Sequence, residues 1–561
     1  MQNENKLHFD ENKSVYNNKT KFIIVTGGVI SGLGKGVAAA SIGALLSARL
    51  KVVPVKCDGY LNTDPGTMNP TEHGEVYVLD DGGEVDMDFG HYERFLNVTA
   101  KKDWSLTMGR VFKTILEKER HGDYLGQTVQ FIPHVTNLIK EHFYRIASQE
   151  NADVLLIEIG GTIGDLENQF YVEAVRQLSH EVGQQNALFV HLTYVPIPSG
   201  VNEQKSKPTQ MSVRDLNERG IYPEIVIGRC EEYIKPHLKE KIGLFCNLPA
   251  SHVISGVDVK HVYEVPLVYD KEGIPEILSK KLGIYAPPKL EKWSKLVETL
   301  KRNQIAPRKI LRVAICGKYM ALEDSYASVV EAVNHASAHL DLRADICWVD
   351  TEKIENNQLS VSKALENIDA VIVPGGFGSR GIEGKIQVIQ YVREHKIPFL
   401  GICYGMQLSV VEYARHVCGI KGAGTIEMES DTYHVEVPVI SYLPGQEHIA
   451  NMGATMRLGG HDVLLKENSK AAEIYGSHCT RERFRHRFEV NSEYIKDIEK
   501  DGLIFSGKAK NEDIMQIMEL ENHPYFMACQ FHPELKSSLV HPAPLFYHLL
   551  KIADERKQSE N

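Results

Sequence analysis

Three groups of residues could do chemistry in this chain. The first is Gly401-Ile402-Cys403-Tyr404-Gly405-Met406-Gln407, set between an apolar run (397–400) and an amphipathic one (408–417). That pattern predicts a strand, a tight turn carrying the thiol, and a helix. Small residues at 401 and 405 let the backbone bend. The helix N-terminus offers N–H groups and a positive dipole end that favour thiolate and can stabilise an oxyanion. The second is Phe531-His532-Pro533-Glu534, which follows the apolar run 525–529. Alternate residues of an extended segment point to one side, so Glu534 is expected to orient His532 as the base for Cys403. Taken singly, Cys403 also fits a buried structural thiol and His532 a solvated side chain.

The third is Gly27-Gly28-Val29-Ile30-Ser31-Gly32-Leu33-Gly34-Lys35-Gly36, entered from a buried-strand pattern (21–26) and left through a small-residue helix pattern (37–50). Strand, glycine-rich turn, lysine and helix suit a phosphate cradle, with backbone N–H groups on phosphate oxygens and Lys35 on the transferred phosphoryl. The spacing departs from the ordinary Walker one, because six positions separate Gly28 from Gly34. Gly36 stands where a Ser or Thr normally meets magnesium, so a metal has to be held by carboxylates elsewhere. Two acidic groups are available: Asp80, Asp81, Glu84, Asp86 and Asp88, and Glu158 at the end of the apolar run 154–157. A carboxylate at the carboxyl end of a buried parallel strand is costly unless a metal, a base or hydrogen bonds compensate it. Glu158 is therefore the stronger ligand on physical grounds, whereas the 80–88 run also fits a solvated loop. Lys205-Ser206-Lys207-Pro208-Thr209-Gln210, with Arg229 and Lys241, suits a polyanion or a plain surface turn.

These groups need at least two domains to position them, and 561 residues with 43% hydrophobic content can fill two cores. A net charge of −11 argues against nonspecific nucleic-acid or anionic-membrane binding. The nine cysteines form no CxxC pair or zinc spacing, which fits buried thiols in a reducing compartment. No 18-residue apolar stretch and no signal-peptide core is found, so a cytoplasmic protein is expected. The expected organisation is a polar extension (1–20), an α/β domain with an open parallel sheet (21–285), a linker (286–308), a second such domain (309–553) and a frayed tail (554–561). In the first domain, strands are expected at 51–57, 187–194, 224–228 and 262–267. In the linker, Trp293, Leu296 and Leu300 space like one face of a helix.

Residues 309–550 resemble a class I glutamine amidotransferase domain, through Pro374-Gly375-Gly376-Phe377-Gly378, the Cys403 turn and His532-Pro533-Glu534. Residues 21–285 resemble the synthetase domain of the CTP synthase family, through VTGGVISGLGKG, NTDPGTMNPTEHGEVYVLDDGGEVDMDFGHYERF, KERHGDYLGQTVQFIPHVT, EIGGTIGD and KSKPTQ. Two three-layer α/β domains with open parallel sheets are implied, the first of P-loop type. The implied activity is ATP-dependent amination of UTP to CTP with ammonia from glutamine, passed between the halves through an enclosed passage. The resemblance assigns the Cys403–His532–Glu534 triad to glutamine hydrolysis. It places Ser31, Gly32, Leu33, Gly34, Lys35, Gly36, Lys56 and Asp88 around ATP, and Asp88 and Glu158 on Mg2+. Ser31, Asp165, Glu167, Lys205, Lys207, Gln210, Arg229 and Lys241 fall to UTP or inhibitory CTP, and Gly375, Gly376, Tyr404, Gln407, Glu427 and Arg487 to glutamine. It also implies GTP activation, a homotetramer and, in some members, filaments.

The chain departs from the family pattern at three places. Tyr404 stands where many relatives have Leu, and a phenol there is expected to narrow the entrance. Ala423-Gly424-Thr425 precedes Glu427 in place of Asn-Ser-Thr, and Cys57-Asp58-Gly59-Tyr60 replaces an aspartate-proline pair beside Lys56. Two other readings keep parts of the pattern: a glutaminase-linked ligase with a different acid or amide acceptor, and a non-catalytic filament or binding module.

Overall fold

The structure is a computed structural model; it describes residues 19–318, 323–376, 380–429, 434–443, 446 and 455–560. Phe377, Gly378 and most of the 1–20 extension lie outside the described residues. By spatial contacts the chain forms two units, one of residues 1–63 and 103–290, the other of residues 64–102 and 291–561. Residues 64–102, read above as part of the first domain, thus pack with the C-terminal half.

The first unit is built on a seven-stranded sheet in the order Ser105–Thr107, Val52–Asp58, Val154–Ile159, Lys21–Gly27, Ala187–Tyr194, Ile225–Cys230, Val253–Val257. Every pairing is parallel. The central strands are buried along nearly their whole length and mostly apolar, because helices cover both faces and leave no solvated side to demand alternation; the charged exceptions, Lys56, Asp58 and Glu158, lie toward the strands' carboxyl ends. The run expected as a strand at 262–267 is helical instead, as Val262–Glu264 and Val265–Lys271. A His261–Glu264 capping box and Pro266 in the first helical turn start a helix despite the β-branched residues.

The second unit carries a nine-stranded sheet. Five strands, Arg343–Asp350, Ile310–Gly317, Ala370–Val373, Phe399–Ile402 and Phe526–Cys529, are parallel, and the sheet continues antiparallel through Met515–Leu520, Leu503–Ala509, Arg457–Leu465 and Cys479–His486. The linker helix runs Glu291–Ile305 and packs into this unit, with Trp293 edge-on to Phe95 at 5.2 Å. The helix Pro544–Glu560 continues through the residues expected to fray, held by Lys557 on Asp369 at 2.8 Å.

The outermost strand, Cys479–His486, presents arginines at alternate positions to acids of residues 64–102. Arg481 meets Asp80, Arg483 meets Glu93, and Arg485 meets Glu84. The acidic run read as a possible solvated loop is thus partly a docking surface. Among the described residues, no helix is long and apolar enough to cross a membrane.

Candidate active site

The strand Phe399–Ile402 ends at Cys403, whose φ of 54° and ψ of −103° put a non-glycine residue in a strained conformation directly before the helix Tyr404–His416. The turn can be this tight because Gly405 lies against the neighbouring strand: a Cβ there would come within 2.1 Å of the Val373 carbonyl oxygen. The Cys403 thiol faces the Arg485 carbonyl at 3.6 Å, and Gln530 Nε2 approaches the sulfur at 3.6 Å.

His532 is placed by its own N–H, which donates to the Arg483 carbonyl at 2.8 Å, and by Nδ1, 2.7 Å from Glu534 Oε1. The expected extended segment is not found, since Pro533–Lys536 forms a 3-10 turn; the turn brings Glu534 back under the ring and achieves the same pairing. Burial works against the imidazolium, but Glu534 and then Cys403 outweigh it and hold its pKa up at about 10. Nε2 is buried, and among the described residues it makes no hydrogen bond of ordinary geometry. A Cβ on Gly375 would lie 3.1 Å from His532 Cε1 and 3.5 Å from Cys403 Cβ, so the glycine loop closes over both groups.

Cys403, His532, Glu534, Gly375, Gly376 and Arg487 line one cavity of about 600 Å³, a size that fits an amino-acid substrate. Arg487 also donates to Thr455 Oγ1 at 3.0 Å. Gln407, Glu427 and Tyr404 are not among its described wall residues. Gln407 Nε2 donates instead to the Phe488 carbonyl at 3.0 Å, and Glu427 sits in the short turn Ile426–Met428. Tyr404 does not narrow the entrance: its ring is 2% exposed, packed beside Lys385. Sequence reasoning missed Gly66, Thr67, Met68, Glu75, Val76 and Val78, which also line the wall. Their presence depends on the docking of residues 64–102, for which the alternating Arg481, Arg483 and Arg485 were the available signal.

In the first unit, the turn before the helix Lys35–Ser47 holds Val29, Gly32 and Gly34 at φ of 77°, 76° and 84°. A β-branched residue is strained there, which a plain connecting turn does not require. Ser31 and Gly32 are exposed, while Leu33 and Gly36 are buried. Lys35 Nζ donates to the Gly161 carbonyl at 2.7 Å. Strand register sets Lys56 beside Glu158, and their side chains meet at 2.9 Å, both buried. The lysine is the base that the lone carboxylate required.

Asp165 accepts from the N–H of Thr162 at 2.5 Å, closing its own loop, and Gly59 packs on Glu167. Lys205 pairs with Glu203 at 2.7 Å, Gln210 bonds Ser206 at 2.9 Å, and Lys207 and Lys241 are exposed. Arg229, expected with UTP, pairs with Asp258 and lines a small cavity with Gly34. Asp88 opens the helix Asp88–Leu96 in the second unit. Among the described residues no three acids, histidines or cysteines form a preassembled metal cage. Hard carboxylate donors still fit magnesium, which takes one or two carboxylates plus phosphate oxygens and water.

Residues 21–284 match the family model described as CTP synthase N-terminus, and residues 321–552 match that for class I glutamine amidotransferases. The CTP synthase of Borreliella burgdorferi is 53% identical over 531 residues, covering 95% of this chain and 98% of that protein. The chain belongs to the CTP synthase family. The CTP synthase of Thermococcus gammatolerans is 50% identical over 541 residues, covering 96% of this chain and 99% of its own length. A solved glutaminase domain of Trypanosoma brucei CTPS with bound acivicin is 35% identical, covering 44% of this chain and 94% of that one, with a TM-score of 0.41. As in other CTP synthases, the activity is glutamine-dependent amination of UTP to CTP, with ATP as co-substrate.

Proposed function

We propose that the cavity at Cys403 is where glutamine is hydrolysed. The carrying observation is the strained Cys403 turn facing a His532 whose far nitrogen is held by Glu534. The Cys403 thiolate attacks the carboxamide carbon, forming a C–S bond as the carbonyl electrons move to oxygen. Backbone N–H groups at Tyr404 and at Gly375-Gly376 serve as oxyanion donors. His532 gives its proton to the leaving nitrogen, the C–N bond breaks, and ammonia departs from the thioester. Water, deprotonated by His532, then opens the thioester to glutamate and free thiol. Arg487, on the cavity wall, suits the α-carboxylate by charge; Glu427 and Gln407, which are not among the described wall residues, are proposed for glutamine from the family resemblance alone.

For ligation, the 31–36 loop, Lys35 and Lys56 are proposed for ATP. Ser31, Asp165, Glu167, Lys205, Lys207, Gln210 and Lys241 are proposed for UTP or CTP. Phosphorylation of the uracil 4-oxygen makes it a phosphate leaving group; ammonia then adds at C4 and phosphate departs. Lys35 balances the charge of the transferred phosphoryl. Glu158 and Asp88 are each proposed as magnesium ligands, and magnesium when bound neutralises phosphate charge.

GTP activation, feedback by CTP, a homotetramer, filaments and a cytoplasmic location belong to the same proposal. Family membership supports them, and the nine unpaired cysteines fit a reducing compartment. Product analysis after incubation with UTP, ATP, magnesium and glutamine, with and without GTP, tests the set. CTP formation accelerated by GTP is expected; no CTP, or no response to GTP, contradicts the corresponding part.

A further inference from the structure

Lys385 lies in the helix Ile382–Glu394 and is 1% exposed. Its ammonium stands 5.3 Å from the centre of the Tyr404 ring, and a Cβ on Gly376 would sit 3.7 Å from it. It is therefore packed between the residue after the nucleophile and the glycine loop that closes over the nucleophile. Among the described residues, no carboxylate comes within ion-pair distance of this ammonium and no acceptor hydrogen-bonds it. The charged and titratable groups that face it are Lys318, Glu427, Cys316 and Cys403. Burial first, and then Lys318, push its pKa down to about 8, against the opposing pull of Glu427 and the two thiols.

A desolvated ammonium without a bonded anion is costly, and a methionine of similar length would fill the same space without that cost. The charge is explicable if an anion appears nearby during turnover. Glutamine hydrolysis makes two in succession, on the Cys403 sulfur and then on the oxygen of each tetrahedral adduct. In a water-poor interior a fixed cation acts on such charges over several ångströms. The Tyr404 ring adds a mechanical link, because the cation clamped to its face holds the first turn of the helix whose N–H groups surround the nucleophile.

We propose that Lys385 is a positioning residue of the glutaminase reaction: buried beneath Tyr404 and Gly376, it stabilises negative charge at Cys403 and its adducts without touching glutamine. This rests on Cys403 being the nucleophile, a premise tested separately by Cys403→Ala.

The test compares full-length Lys385→Met and Tyr404→Leu with the parent protein. It reads glutamine kcat and KM, CTP formation from ammonium salt, the alkylation rate of Cys403 by iodoacetamide at neutral pH, and the thermal midpoint. Lys385→Met should lower glutamine kcat by about 10- to 100-fold, less than the roughly 10²- to 10³-fold of a removed oxyanion donor because Lys385 acts without touching the oxyanion. KM should stay within about threefold, alkylation should slow, and ammonia-dependent synthesis should be kept. The thermal midpoint should hold or rise, because a buried charge has gone. Tyr404→Leu should cause a smaller loss of the same kind, and it answers the question even if the methionine variant does not fold. Unchanged kcat, or a loss of kcat with a lowered midpoint and normal alkylation, overturns the proposal. Glutamine turnover surviving in Cys403→Ala would instead overturn the premise.

Discussion

His532 Nδ1 lies 2.7 Å from Glu534 Oε1, and the two side chains are only 16% and 4% exposed. That carboxylate is the largest of the influences that hold the imidazolium against burial, so its loss pushes the imidazole toward the neutral form. Glu534→Gln should therefore lower glutamine-dependent kcat by about 10²- to 10⁴-fold, as when the orienting acid of a triad is lost, and leave ammonia-dependent synthesis intact. The sign of the pH effect on stability follows from the same contact. A base whose folded pKa is raised from 6.5 to about 10 contributes its full stabilisation below the lower value and loses it as pH climbs toward the upper. The gap in urea midpoint between parent and variant should be widest at pH 6 and nearly closed at pH 10. A gap that does not change with pH contradicts the assignment.

Arg483 and Glu93 form a buried ion pair, with oxygen–nitrogen distances of 2.6 and 2.9 Å, joined by Tyr77 and the N–H of Ala100. Glu93→Gln leaves the guanidinium without its counter-charge and should cost about 3–5 kcal/mol, read from the urea midpoint of the second unit. A loss below about 1 kcal/mol would show that the pair is not what holds residues 64–102 in place.

Lys35 opens its helix beside a turn held at positive φ and makes its described hydrogen bond to a main-chain carbonyl. Lys35→Ala should fold, and should abolish CTP formation from both glutamine and ammonium salt. Near-normal synthesis from ammonium would remove Lys35 from the phosphoryl-transfer step.

Local features were the legible ones. The Cys403 turn and the glycine-rich turn before Lys35 announce themselves through glycine spacing, because a tight turn is dictated by residues within a few positions of it. Glu158 was readable as a charge that needed compensation, although its partner, Lys56, is fixed only by strand register. The 262–267 run was misread as a strand because the capping box and Pro266, which act through the backbone, went unread. Tyr404 points away from the cavity because its helix packs on Ile382–Glu394, a contact between elements distant in sequence. Residues 64–102 entered the wall of the Cys403 cavity for the same kind of reason: the alternating arginines are visible in the sequence, but their acidic partners lie about 400 positions away, as Glu84 lies 401 positions from Arg485.

Cys403→Ala removes the sulfur that forms the thioester while hardly changing side-chain volume, and leaves Lys35, Asp88 and Glu158 untouched. CTP formation by the variant is measured in parallel with glutamine and with ammonium salt at alkaline pH, where more ammonia is unprotonated. Glutamine-dependent synthesis should vanish while ammonia-dependent synthesis persists. Efficient CTP formation from ammonia-free glutamine by Cys403→Ala would contradict the account.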